Sequence, residues 1–160
     1  MLLSIAIAAA TTICPTVGST FALDTDPRKT MTILEIPSNK KTLYLTFSDE
    51  SGKRLWFTLD GGSAESSIRL VSSKSDPGLA TWKPQEPDTQ KDREFQDIRY
   101  FLFRSSGRLA NESSIRKNAL APEAIFIPDL PERLYYKRNP SLPDHFWRGI
   151  FIRKSCGRAI

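Results

Sequence analysis

The sequence predicts an all-β protein, mainly antiparallel, built as a β-sandwich or a partly open barrel with one or two short helices. Three observations carry that expectation. Several segments alternate apolar and polar residues with a period of two, turn-forming clusters separate them roughly every 12 residues, and helical patterns are scarce. With 160 residues, 39% hydrophobic and 26% charged, the composition is that of a globular chain rather than a disordered one.

Residues Met1 to Ala22 contain no Asp, Glu, Lys or Arg, and Leu2 to Ala10 is almost unbroken apolar sequence. Thr20-Phe21-Ala22 offers small residues at the −3 and −1 positions of a cleavage site, so 1–22 reads as a secretory signal peptide. Cys14-Pro15-Thr16 interrupts the run before it reaches the roughly 18 apolar residues an anchor needs. No later stretch is apolar enough to span a bilayer. Residues 23–160 are then a single β-rich domain. Cys14 leaves with the leader, and Cys156 stays as a lone cysteine, buried, paired between chains, or kept in a reducing place.

After a polar arm at 23–29, Thr30 to Ile36 is β-branched and apolar. Lys41 to Phe47 places Leu43, Leu45 and Phe47 on one face. Arg54 to Asp60 opposes Leu55, Phe57 and Leu59 to Trp56 and Thr58, and Ser66 to Ser72 aligns Ile68 with Leu70. Such alternation marks strands with one dry and one wet face, and the turn clusters between them suggest an antiparallel meander. Leu79 to Lys83 is a candidate fifth strand. Arg93 to Arg104 admits a helix or a strand; its aromatic content favours a strand from Ile98 to Phe103. Asn111 is a candidate helix N-cap, with a short helix running to about Leu120. Ala124 to Ile127, Arg133 to Arg138 and Phe146 to Lys154 complete the set of strands. Asn111-Glu112-Ser113 also matches the N-glycosylation pattern.

Charge is unevenly spread. Residues 1–130 hold 16 basic and 16 acidic side chains, whereas 131–160 hold seven basic and two acidic ones, so the net +5 arises in the last 30 residues. Aromatic residues are interleaved there. Arg133, Tyr135, Lys137, Arg138, Trp147, Arg148, Arg153 and Lys154 therefore form the candidate contact region for something acidic: a protein patch, nucleic acid or an anionic surface. Two solvated strands with outward cations give the same pattern without any partner.

Catalytic and cofactor signals are sparse. His145 is the single histidine; with Glu132 or Asp144 it offers the acid and base of a secreted ribonuclease. No Gly-x-Ser-x-Gly elbow occurs, Gly61-Gly62 lacks the Lys and helix of a phosphate loop, and one His with one mature Cys cannot build a familiar zinc site. Neither a metal nor a cofactor is expected.

The apolar leader Met1 to Ala22, the single compact domain, the near absence of cysteine and the β-rich pattern without catalytic motifs resemble, in overall plan, the small secreted effectors of plant-pathogenic, smut-type fungi. That resemblance implies release from the producing cell and non-enzymatic binding of a host protein, through a sheet face or edge together with the basic-aromatic C-terminal region. Scarce cysteine departs from the disulfide-rich apoplastic members and implies delivery into host cytoplasm. A ribonuclease-like hydrolase using His145 and a polyanion-binding module are the alternatives.

Overall fold

The computed structural model describes residues 13–36, 39–50, 52, 54–59, 67–72, 98–104, 107–110, 115–132 and 147–157. Their strands are β1 (Thr20–Leu23), β2 (Thr30–Ile36), β3 (Asn39–Ser48), β4 (Arg54–Leu59), β5 (Ser67–Ser72), β6 (Ile98–Arg99), β7 (Phe101–Phe103), β8 (Ala124–Phe126) and β9 (Ile150–Ser155). They make one sheet in the order β6-β5-β4-β3-β2-β1-β9-β8-β7, and every pairing is antiparallel. The two ends of that order, β6 and β7, are neighbours in the chain, separated only by Tyr100. The segment Ile98–Phe103 thus pairs with β5 through its first half and with β8 through its second, and the sheet almost closes on itself. The all-β class expected from the sequence is what is found, in its barrel form: an up-and-down meander whose last strand returns to pair with its first.

Alternation does the folding work. Phe21, Leu23, Met31, Ile33, Leu45, Phe47, Phe57, Ile68, Ile98, Ile125 and Phe151 point inward and are essentially fully buried. Each large apolar side chain so placed contributes about 1.5–3 kcal/mol. Phe47 lies at the centre, edge-on to Phe57 at 5.1 Å, Phe151 at 5.4 Å and Trp147 at 5.8 Å. The interior of a barrel of this size is filled by such side chains.

The structure differs from the sequence expectation in several places. The division after Ala22 runs through β1, whose Phe21 and Leu23 are in the core and which joins β2 to β9. Cleavage there would remove most of the strand that completes the barrel. It would also remove Cys14, which is not a lost leader cysteine but the disulfide partner of Cys156. The apolar run Leu2 to Ala10 that suggests a leader lies outside the described residues. The bridge spans 142 residues, and in the chain-entropy account a loop of that length stabilises by about 4–5 kcal/mol.

Two smaller differences concern helices and strand ends. Residues 115–120 form turns rather than a helix, because this segment is pinned from outside: Ile115 N–H donates to the Tyr100 hydroxyl (3.1 Å), and Lys117 pairs with Glu35 of β2. Residues 130–132 are helical. The last strand begins at Ile150 instead of Phe146, since Gly149 has φ +146° and a Cβ there would collide with the Asp24 carboxylate. That carboxylate accepts the Ile150 N–H (2.9 Å), while the Thr25 hydroxyl donates to the Arg148 carbonyl (2.6 Å). The candidate strands at 79–83 and 133–138 and the glycosylation tripeptide at Asn111 lie outside the described residues.

A candidate interaction face

In an antiparallel pair, residues opposite each other share a face. The pairing registers therefore give the outward rows directly. One row runs Leu109, Phe103, Ala124, Ile152, Ala22, across four strands and the backbone bridge at Leu109. A second runs Phe101, Phe126, Ile150. All eight side chains are apolar. Phe101 and Phe126 stack at 6.5 Å between ring centroids. Leu109 is 60% exposed, Ile152 52% and Phe101 41%, and the rest are partly exposed. Two further exposed large apolar residues, Ile13 and Leu120, lie on segments that border this sector, with Pro15 bridging Leu120. Exposed Arg99, Arg108, Arg148 and Lys154 stand near the rows in sequence, as do two acids, Glu123 next to Ala124 and Asp24, whose carboxylate accepts the Ile150 N–H.

The C-terminal contact region expected from the sequence divides into parts. Trp147 is corrected: it is 5% exposed, packs on Phe47, and lies 6.2 Å from Phe151. Lys29 sits over its ring at 5.6 Å. Phe151, four residues on, is likewise buried and packs edge-on against Phe47. Arg153 is structural, donating from one guanidinium nitrogen to the carbonyls of Ala121 (2.9 Å) and Pro122 (3.2 Å). Arg148, just before β9, and Lys154, near its end, are exposed. Arg133, Tyr135, Lys137, Arg138 and His145 lie outside the described residues.

What sequence reasoning missed is the apolar breadth of this face. Phe101, Phe103, Phe126, Ile150 and Ile152 come from three strands far apart in the chain, and each local pattern reads as core. Only the register shows that they share an outer surface. The signal available was the failure of Phe146 to Lys154 to show a purely polar face.

Among the described residues, no group of three or more His, Cys, Asp or Glu gathers at one place, and no helix is long and apolar enough to cross a membrane. The turn after β1 carries an ion pair between Arg28 and Asp26. There the Arg28 guanidinium, hydrogen-bonded to Asp26 at 2.8 Å, holds the Asp26 carboxyl below the ordinary aspartate value. No protein-family model, curated protein or solved structure matches the chain.

Proposed function

We propose that the protein is a secreted, non-enzymatic, effector-like interaction protein that docks on a host protein through the outer face of β7, β8 and β9. The observation that carries this is the pair of apolar rows centred on Phe101, Phe126 and Ile152, exposed to water on a sheet whose inner face already supplies the core. Monomeric proteins rarely leave apolar side chains contiguous on the surface without use. Cations beside the rows, Arg148 and Lys154 from the region singled out in the sequence, favour a partner with an apolar centre and carboxylates around it. The same cations disfavour a second copy of this chain, which would bring like charges together. Export is supported by the Cys14–Cys156 bridge, since disulfides form and persist in oxidising compartments. The exported product then keeps Cys14 and β1.

The test is affinity capture from candidate host tissue with two baits, the wild-type protein and a Phe101→Asp/Ile152→Asp variant whose fold is checked by circular dichroism. A partner retained by the first and lost by the second, with binding weakened about tenfold or more by Arg148→Glu/Lys154→Glu, is expected. Equal retention by both baits overturns the proposal. Captured nucleic acid with steep salt dependence would favour the polyanion-binding alternative.

A further inference from the structure

We propose that the Cys14–Cys156 bridge is a thiol–disulfide exchange site for an external dithiol, attacked at the Cys156 sulfur, and that its opening unlatches segment 13–19 while the barrel persists.

The two half-cystines are unequal. Cys14 is 5% exposed, whereas Cys156, just past the end of β9, is exposed. An attacking thiolate must reach a sulfur from solvent in line with the S–S bond, and which sulfur is accessible decides the outcome. Cys156 offers that approach. The sulfur that leaves is then Cys14 Sγ, 3.7 Å from the Ser19 hydroxyl. This hydroxyl donates to the Pro15 carbonyl and accepts the Gly157 N–H (3.1 Å), so it bridges the two sides of the seam. Turned from Pro15 toward sulfur, its proton stabilises the departing thiolate. One thiolate of the dithiol bonds to Cys156 Sγ as the S–S bond breaks, and the electron pair of that bond goes to Cys14 Sγ. The second thiol displaces Cys156. The reductant ends as a disulfide, and the two protons it gave up end on Cys14 and Cys156.

The surroundings indicate what opening changes. Segment 13–19 buries Cys14, Thr16 and Ser19 and rests Val17 against the edge of the core, but it supplies no ring to the central cluster and is held mainly by hydrogen bonds. Thr16 donates to the Ala119 carbonyl through both its N–H (3.3 Å) and its hydroxyl (2.7 Å), and the Ala121 N–H donates to the Cys14 carbonyl (2.8 Å). Gly18 N–H donates to the Ile33 carbonyl (2.7 Å), and Ile33 N–H to the Ser19 carbonyl (3.1 Å). The ring cluster around Phe47 and the register of β2 to β5 do not pass through the bridge. Local opening free energies span a wide range in one protein, and a segment held by hydrogen bonds, outside the cluster of core rings, lies below the core strands in that range. Without the covalent tie, segment 13–19 is the first part to open.

Both tests use the unaltered full chain. The first probe is a thioredoxin-type protein whose second active-site cysteine is replaced by serine, so that the mixed disulfide is trapped. Mass spectrometry should find the adduct on Cys156. An adduct on Cys14, or none while an unhindered small disulfide reacts, overturns the exchange site. The second is hydrogen exchange before and after reduction with a phosphine. Peptides spanning 13–19 should exchange at least tenfold faster, and those covering 43–47 and 55–59 should change less than twofold. Unchanged exchange at 13–19, or loss of protection throughout the barrel, overturns the latch.

Discussion

The outer faces of β3–β4 and of β7–β9 belong to one continuous sheet with one shared interior, yet they are finished in different ways. On β3 and β4 the outward residues Tyr44, Thr46, Trp56 and Thr58 are themselves buried, and Tyr44 forms a second small apolar cluster with Ile36. Between the two sectors, β1 and β2 carry hydroxyls that bond across strands: Thr20 with Thr32 at 3.2 Å, and Thr30 with Ser48 at 2.9 Å. On β7–β9 the outward residues are more apolar, but they meet water. Outward position therefore does not decide burial in this barrel. The sector that is covered carries the more polar side chains, and the sector left open carries the more apolar ones, which is why the open one is the candidate for a partner.

The sharpest way to break this comparison is truncation on each outer face. Trp56→Ala should destabilise by about 3–5 kcal/mol, as a core aromatic does, whereas Phe101→Ala should cost less than about 1 kcal/mol because its ring is already partly in water. Urea unfolding of the two variants measures both. Equal losses would mean that the apolar rows are structural and not a surface kept for binding.

A second test concerns how β9 is seated, since Ile150 and Ile152 depend on it. Gly149→Ala should cost about 1–3 kcal/mol, from the left-handed backbone and the collision with Asp24. Adding Asp24→Gly should recover part of the loss, by a double-mutant cycle. Additive losses would show that the carboxylate is not the obstacle.

Smaller effects refine the hydroxyl side. The Thr46 and Thr58 hydroxyls are buried with no hydrogen-bond partner. Thr46→Val or Thr58→Val should therefore stabilise by about 1 kcal/mol, by removing an unsatisfied group while keeping the shape. Thr32→Val, which removes a bonded hydroxyl, should do the reverse by about 0.5 kcal/mol. Thermal unfolding of all three distinguishes a covered face from one that admits water.

The smallest expected effect is at the turn after β1. Asp26 has its folded pKa depressed, chiefly by its hydrogen bond from Arg28, so its contribution is present above the unfolded aspartate value of about 4 and fades as pH falls through the lower folded value. Asp26→Asn should flatten the stability profile slightly in that acid window and leave it unchanged at neutral pH apart from a constant offset.

Period-two alternation was sufficient to predict β3, β4, β5 and the all-β class, and β-branched or aromatic content to predict β2 and the strand at Ile98–Phe103, because these are local properties of an extended chain. Over Phe146 to Lys154 it separates Phe146, Arg148, Ile150, Ile152 and Lys154 from Trp147, Gly149, Phe151 and Arg153; in the structure Trp147 and Phe151 are buried, whereas Arg148, Ile152 and Lys154 are exposed. It could not say which set is inside, since both contain large apolar residues; Phe47, one hundred residues earlier, settles that by offering the ring against which Trp147 packs.

The same division holds for the chain as a whole. Local pattern determined the fold class and the bias of charge toward the C-terminus. Tertiary structure alone decided that the segment around Phe21 is a barrel strand, that Cys14 and Cys156 meet across 142 residues, and that Phe101, Phe126 and Ile152 share one exposed face. Strand order and register are made by contacts between distant parts of the sequence, and no local periodicity encodes which strand lies beside which.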